Sequence, residues 1–167
     1  MSRIHSGGMV PLFDRLGLEL GNYDGINNNY LTPDGVEQSV LIELNRLATT
    51  RSKLTFDEFT KKDLTVLDYG LPDFTGYSVQ NDDHRTAVRN AVVKAIKVFE
   101  PRLKKINVSV FSNTTNKNIS YFGVEAVLIL GKEFQRVNFT ISNKNKFVDT
   151  FDEQEFIKWV KQMILIY

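Results

Sequence analysis

Four carboxylates of this chain could take part in chemistry: Asp68, Asp73, Glu100 and Glu125. Glycoside hydrolysis needs two such groups about 5–10 Å apart, with one of them held as the neutral acid. The basic neighbours of Glu100 in the sequence favour its charged form instead. None of the four stands beside a glycine-rich phosphate loop or a nucleophile elbow. We therefore predict no catalytic residue and no enzymatic activity, with a peptidoglycan-cleaving enzyme as the alternative.

The sequence offers few ligands for a metal ion. It has no cysteine, and its two histidines, His5 and His84, are far apart in the chain. Zinc sites use clusters of Cys and His at short, regular spacings. We predict no metal site, no disulfide and no cofactor.

Length and composition are those of an ordinary globular chain. The 167 residues are 42% hydrophobic and 25% charged, which suits one domain with a sizeable core. A net charge of +1 gives no overall basic field for nucleic acid. The N-terminus lacks the apolar run of a signal peptide, and no stretch is apolar for long enough to span a bilayer. These features predict a cytoplasmic protein without direct membrane insertion.

Apolar residues recur every three or four positions over residues 81–99, which predicts one strong amphipathic helix. Asn81 can cap its start. Pro101 ends it, because proline lacks an amide hydrogen and disfavours helical geometry in the residue before it. Glu100 is then left at the negative end of the helix dipole, where Arg102 or a partner surface should offset its charge. We expect both to be surface charges whose removal costs about 0.5 kcal/mol or less.

The same part of the chain is strongly basic. Between Arg85 and Lys105 there are seven basic residues and one acid. Charge runs of this kind are commonly solvated faces, but one can also be an electrostatic dock for an acidic helical partner. The second interpretation would suit a small stand-alone binding module, and the sequence leaves both open.

A second helix is predicted over residues 32–50. Thr32 is a suitable cap, and Pro33 fits the first turn. Arg51 lies at its end, where a cation is stabilising and a guanidinium could bind a carboxylate with two nitrogens. The buried stripe of this helix comprises Val36, Val40, Leu41, Leu44 and Leu47.

The two helices are separated by a polar stretch and a turn-rich one. Residues 52–65 are polar and charged. In residues 68–74, Gly70 can adopt backbone angles that other residues avoid, and Pro72 stiffens the exit. We predict that residues 68–74, called the turn segment below, form a rigid wedge against the two helices. The apolar anchors of both stretches are Phe56, Phe59, Leu64, Tyr69, Leu71 and Phe74.

Beyond Arg102 the apolar period changes to the alternation typical of strands. One strand is predicted to begin at Ile106, a second covers residues 119–130, and a third contains Val137. Gly123 inside the second strand suggests a bulge. Three consecutive strands beside these helices predict an α+β fold, with helices packed on a small antiparallel β-sheet.

Both ends of the chain carry their own predictions. Residues 1–10 are predicted to be a flexible N-terminus, 11–16 a short helix and 17–31 a surface loop. Residues 151–167 are assigned as an added C-terminal amphipathic helix packed on the same domain, with the helical pattern starting at Asp152 and docking on a partner as the alternative. The domain itself is assigned to residues 11–150.

The order of these motifs resembles that of a known family. A helix ending Thr50-Arg51 is followed by Tyr-Gly-Leu-Pro-Asp, a second helix, Glu-Pro-Arg-Leu and then strands. The phage baseplate wedge family, historically called "lysozyme-like", has this order, and the likeness is greatest to its members from bacterial type VI secretion systems. The resemblance covers about residues 11–142.

The resemblance implies a structural subunit of a baseplate docked at the inner membrane of a Gram-negative bacterium. It implies that Glu100, Pro101 and Arg102 bind the wedge core, formed by TssF and TssG, with TssK in the same wedge. It also implies strands that start polymerisation of the TssB/TssC sheath, since an open sheet edge can accept an incoming strand. A prophage tail wedge protein is the alternative. The sheath-binding strands correspond to Val108, Val110, Val137, Phe139 and Ile141.

Overall fold

The computed structural model describes residues 26–27, 30–78, 80–112, 119–131 and 133–142. The predictions for residues 1–10, 11–16 and 152–167 lie outside them. The described elements are β1 (Ile26–Asn27), β2 (Tyr30–Leu31), α1 (Pro33–Thr49), α2 (Phe56–Lys61), a 3-10 turn (Val66–Asp68), α3 (Asp82–Phe99), β3 (Leu103–Ser112), β4 (Ile119–Leu130) and β5 (Glu133–Ser142).

The two long helices begin where the sequence predicts. The Thr32 side chain accepts a hydrogen bond from the Gly35 amide at 3.2 Å and caps α1. The Asn81 side chain accepts from the amides of Asp83 (2.9 Å) and His84 (3.2 Å) and caps α3. Because these caps satisfy amides that have no partner inside the helix, both predicted starts are confirmed.

The last three strands form one antiparallel sheet in the order β3-β4-β5, so the predicted α+β fold is confirmed. β4 and β5 stay in register over ten consecutive pairs. β3 is less regular: between Lys104 and Asn107 two residues of β3 lie opposite one residue of β4. Lys105 in this bulge has a φ of 50°, a left-handed conformation that is uncommon outside glycine.

The bulge predicted at Gly123 is wrong. Gly123 pairs with Ser109 on one side and Thr140 on the other, without a shift of register. A Cβ atom at this position would lie 3.1 Å from the ring of Phe111. The glycine therefore makes room for an aromatic ring on the neighbouring strand.

β3 also begins earlier than predicted, at Leu103 instead of Ile106. The turn at Pro101 and Arg102 is short, and the Ile129 amide already donates to the Arg102 carbonyl oxygen at 3.0 Å. The sheet ladder therefore starts directly after the Glu-Pro-Arg sequence.

The core lies between one face of the sheet and the two long helices. α3 packs mainly on β3, and α1 packs mainly on β5. The predicted helical stripes and the inward positions of the strands meet there. The central buried side chains include Val40, Leu44, Val88, Val92, Ile96, Phe122, Val124 and Leu128.

Two short elements appear where the sequence predicts only irregular chain. β1 and β2 pair within the predicted surface loop. α2 lies in the polar stretch, where Thr55 and Glu58 form a reciprocal capping box. No helix in the described part of the chain is long and apolar enough to cross a membrane.

Candidate partner-binding site

The turn between α3 and β3 places Glu100, Pro101 and Arg102 together. Arg102 binds the Glu100 carboxylate with two nitrogens: Nε lies 2.6 Å from Oε1, and Nη2 lies 2.6 Å from Oε2. Its third nitrogen, Nη1, donates to the Ser39 hydroxyl of α1 at 3.1 Å. This planar, two-pronged geometry is the strongest form of an arginine–carboxylate contact, and it ties the turn to α1.

The expectation that Glu100 and Arg102 are surface charges is wrong for Glu100. Glu100 is only 3% exposed, and Ser39 is fully buried. Arg102 keeps 29% of its side chain exposed, and Pro101 is exposed. A buried carboxylate needs a cation and hydrogen bonds to offset its desolvation, and Arg102 supplies both. The predicted partner-binding residues thus comprise a buried anchor, an exposed proline and a half-buried cation.

The chain after α1 is joined to the turn segment by backbone hydrogen bonds. The Ser52 amide donates to the Leu71 carbonyl oxygen at 2.8 Å, and the Leu71 amide donates to that of Thr50 at 2.9 Å. Gly70 between them has a φ of 111°, and a Cβ atom there would lie 2.6 Å from the Thr50 carbonyl oxygen. Only glycine permits the backbone of the turn segment to come this close to Thr50. Gly70 therefore allows the backbone hydrogen bonds between the end of α1 and the turn segment.

The turn segment is predicted to wedge against the two helices, and its ring contacts are with α3 and with the sheet. The Tyr69 ring meets the Phe99 ring of α3 edge-on, with 5.2 Å between centroids. The Phe74 ring meets the Phe122 ring of β4 at 5.9 Å. Burial, more than the nearby charge of Glu43, raises the pKa of Tyr69 to about 12. The hydroxyl of this tyrosine therefore stays neutral at physiological pH.

Two acids hold the ends of this segment. Arg51 donates to Asp73 through one nitrogen at 2.9 Å, in an exposed pair that is not two-pronged. Asp68 is fully buried and accepts from the Thr65 amide (3.0 Å) and from Lys62 Nζ (3.0 Å). These contacts, the Thr65 amide first, lower the pKa of Asp68 to about 2. Asp68 is therefore ionised at neutral pH.

The basic face of α3 is partly used inside the protein. Lys94 Nζ donates to the carbonyl oxygens of Phe59 (2.9 Å), Thr60 (3.0 Å) and Lys62 (2.6 Å). These carbonyls belong to the last turn of α2 and the residues after it, so Lys94 caps the negative end of that helix. The exposed cations of the run, which remain available to a partner, are Arg89, Lys97, Lys104 and Lys105.

The predicted sheath-binding residues all point into the core. Val108, Val137 and Ile141 are each 2% exposed, Phe139 is 5% exposed and Val110 is 8% exposed. Their side chains hold the sheet on the helices and do not offer a contact surface. Within the described residues, the outer edges of β3 and β5 carry no further strand.

The four carboxylates do not assemble into an acid–base pair. Glu100 is bound by Arg102, and Glu125 accepts from the Asn107 side chain at 3.2 Å. Hydrogen bonds, the Thr75 hydroxyl first, lower the pKa of Asp73, as others lower that of Asp68. A general acid needs the opposite shift. The described residues also contain no group of three or more potential metal ligands.

Sequence reasoning missed three residues that support the site. Ser39 is a small polar residue next to Val40 in the apolar stripe of α1, and that interruption was its only signal. The spacing from Thr65 to Asp68 is that of a capping box, and the structure shows half of one: the Asp68 carboxylate accepts from the Thr65 amide, whereas the Asp68 amide donates to the Thr65 carbonyl oxygen. Nothing local in the sequence indicates that Lys94 reaches α2.

Residues 34–132 match the sequence model of a family described as baseplate wedge protein gp25. None of the curated proteins is significantly similar to the chain. A chain of the solved structure described as "The baseplate complex from the type VI secretion system" aligns with 19% identity and a TM-score of 0.45. That alignment covers 67% of this chain and 97% of the other. The matched stretch of the family model contains the turn segment and the Glu100–Arg102 turn.

Proposed function

The chain belongs to the baseplate wedge protein gp25 family, and from that premise we propose that it is the TssE-like wedge subunit of a type VI secretion baseplate. In this role it links the TssF–TssG wedge core, with TssK in the same wedge, to the TssB/TssC sheath. It is a structural protein of the cytoplasm, without enzymatic activity, in a baseplate docked at the inner membrane of a Gram-negative bacterium. The observation that carries the proposal is the fixed Glu-Pro-Arg turn at the start of β3, in a sheet whose opposite edge strand, β5, is regular.

The wedge core binds at Glu100, Pro101 and Arg102. Pro101 and the exposed part of Arg102 form the contact. The buried Glu100 carboxylate binds the Arg102 guanidinium and so fixes its direction. A preoriented side chain loses less conformational entropy on binding than a free one. Exposed Lys97 and Lys104 lie next to this turn in the sequence and add a positive field that suits an acidic helical partner.

Copurification with TssF and TssG tests this contact. Pro101→Asp places a carboxylate at an exposed turn position, so we expect a normally folded protein that no longer copurifies with the wedge core. Gly76→Asp is the matched control, because Gly76 is exposed and a Cβ atom added there would have no atom within 4 Å. A folded Pro101→Asp protein that copurifies like wild type would remove this contact from the proposal. Capture of prophage tail wedge proteins by the wild type would assign the chain to a phage tail instead.

β5 is the strand on which the sheath starts. Its ten uninterrupted pairs with β4 leave a straight outer edge, whereas the register of β3 shifts twice. An incoming strand needs evenly spaced amides and carbonyls over several residues. The buried side chains Val137, Phe139 and Ile141 support this edge by fixing β5 on the core.

Proline substitutions at the two edges test the strand assignment. Asn107 of β3 and Asn138 of β5 lie in one row, both opposite Glu125 of β4. Proline removes one ladder donor at each position. We expect Asn138→Pro to permit baseplate assembly but to block extension of fluorescent sheaths, and Asn107→Pro to leave sheaths normal. Both variants are first checked for a wild-type circular dichroism spectrum. Normal sheaths in Asn138→Pro together with blocked sheaths in Asn107→Pro would assign the sheath contact to β3.

A further inference from the structure

The sheet has a second face, opposite the helices, with an apolar end. We call it the outer face. The register places Ile129 of β4 beside Phe134 of β5, and Val127 beside Arg136. Phe134 is 73% exposed, while Val127 and Ile129 are half-buried. An exposed aromatic side chain continuing an apolar row is a common mark of a surface that something covers.

The middle of the outer face is polar, whereas its far end carries the half-buried Phe111 and Tyr121, which pair across β3 and β4. The next row across the sheet is Asn107, Glu125 and Asn138, and the Asn107 side chain donates to Glu125. Both helices lie on the opposite face. Neither α1 nor α3 can therefore cover Val127, Ile129 and Phe134.

We infer that the C-terminal segment, residues 152–167, covers the outer face and places its last turns on Phe134 and Ile129. The segment carries an apolar stripe at helical spacing, formed by Phe156, Trp159, Val160, Met163 and Ile164. Such a stripe needs an apolar surface, and the inner face of the sheet is already filled by α1 and α3.

The length of the chain fits this placement. β5 ends at Ser142, and nine residues, 143–151, are available to reverse direction. A helix of residues 152–167 would be about 24 Å long at 1.5 Å per residue. The strand from Phe134 to Ser142 spans about 27 Å at 3.4 Å per residue. In a helix returning antiparallel to β5, Met163 and Ile164 lie about 17 Å from residue 152. They reach the row of Ile129 and Phe134 if the nine-residue linker sets residue 152 about 10 Å along β5 from Ser142.

This placement has a consequence for the edge of the sheet. A helix on the outer face covers side chains and leaves the backbone groups along the outer edge of β5 accessible. The segment would therefore stabilise β5 without competing for an incoming strand. The inference itself does not depend on the proposed baseplate function.

Disulfide trapping in the full-length protein tests the placement, and the background is clean because the chain has no cysteine. In the variant Phe134→Cys/Ile164→Cys we expect an intramolecular disulfide to form at least about tenfold faster than in Phe134→Cys/Gln162→Cys. Gln162 is the matched control because it is two residues from Ile164 in the sequence but lies on nearly the opposite side of the predicted helix, off the apolar stripe. Equal rates in the two variants, or no disulfide in either, would overturn the inference. Predominantly intermolecular disulfides would also overturn it and would assign the surface to a second copy of the chain.

A second measurement avoids engineered cysteines. If the segment packs on Phe134, then Phe134→Ser should speed tryptic cleavage at Lys158 and Lys161 by about tenfold. Val66→Ser is the control, since Val66 is equally exposed (84%) but lies in the 3-10 turn. Cleavage of Phe134→Ser at the wild-type rate would contradict the placement, whichever result the proposed function gives.

Discussion

Arg102 and Glu100, two residues apart in the chain, form a two-pronged ion pair in which both nitrogen–oxygen distances are 2.6 Å. Arg102 also donates to Ser39, which is 63 positions earlier in the sequence. The pair thus closes the turn after α3 and fastens it to α1. The Glu-Pro-Arg sequence, which has the pattern of a helix stop with surface charges, is therefore packed at the edge of the core.

Removing Glu100 should destabilise the protein markedly. Glu100→Ala leaves the Arg102 guanidinium without its carboxylate in a largely buried place, so we expect a loss of about 2 kcal/mol in the free energy of unfolding. Arg51→Ala is the control, because it breaks the exposed pair with Asp73 but keeps the Asp73–Thr75 hydrogen bonds, and it should cost about 0.5 kcal/mol or less. Urea unfolding of the two variants measures both values. Equal losses would show that the buried Glu100–Arg102 pair adds no more stability than the exposed pair.

Removing Lys94 should loosen α2 more than the rest of the fold. Lys94→Met retains the aliphatic stem but loses three hydrogen bonds to carbonyl oxygens at the end of α2. We expect about 1–2 kcal/mol less stability, with faster hydrogen exchange at the amides of Phe56–Lys61. Lys97→Met, at an exposed position of the same helix, should change neither quantity. Unchanged exchange in Lys94→Met would mean that its hydrogen bonds do not hold α2.

Gly70 should tolerate no side chain. Gly70→Ala combines a positive φ with a Cβ atom 2.6 Å from the Thr50 carbonyl oxygen and 2.8 Å from the Ser52 nitrogen. We expect a loss of about 3 kcal/mol. Gly76→Ala meets no atom within 4 Å and should change stability by less than about 0.5 kcal/mol. Thermal unfolding followed by circular dichroism compares the two, and similar melting temperatures would contradict the close approach.

Asp68 should give the fold a specific sensitivity to acid. Its pKa is about 2 in the folded protein, against an ordinary value of 3.8, so folding favours the ionised form. The resulting stabilisation is complete above about pH 4 and is lost as the pH falls towards 2. In Asp68→Asn the free energy of unfolding should therefore vary less between pH 4 and 2 than in wild type. Thr65→Val removes only one of the hydrogen bonds to Asp68, so its pH dependence should lie between those of wild type and Asp68→Asn. Identical pH profiles of wild type and Asp68→Asn would exclude Asp68 as the source of the acid sensitivity.

Much of the fold can be predicted from the sequence, because its signals are local. Thr32 and Asn81 fix the starts of α1 and α3, since a cap bonds to amides two or three residues away. The nearly continuous apolar stretch at residues 126–130 indicates β4, which the structure has over residues 119–130. The order of the Tyr-Gly-Leu-Pro and Glu-Pro-Arg sequences indicates the family. The caps and the apolar patterns depend on neighbours within a few positions, and the family resemblance depends only on the order of short motifs along the chain.

The tertiary structure alone decided which of these residues are buried and what they contact. Glu100 is buried because α1 brings Ser39 to the turn. The sequence pattern around Glu100 does not indicate this burial. Lys94 caps α2 only because α3 packs beside it. Gly123 suggests a bulge in the sequence, whereas the fold places the ring of Phe111 against it from the neighbouring strand. Burial and pairing depend on atoms that are distant in sequence, so the sequence determined the elements, and the packing determined their roles.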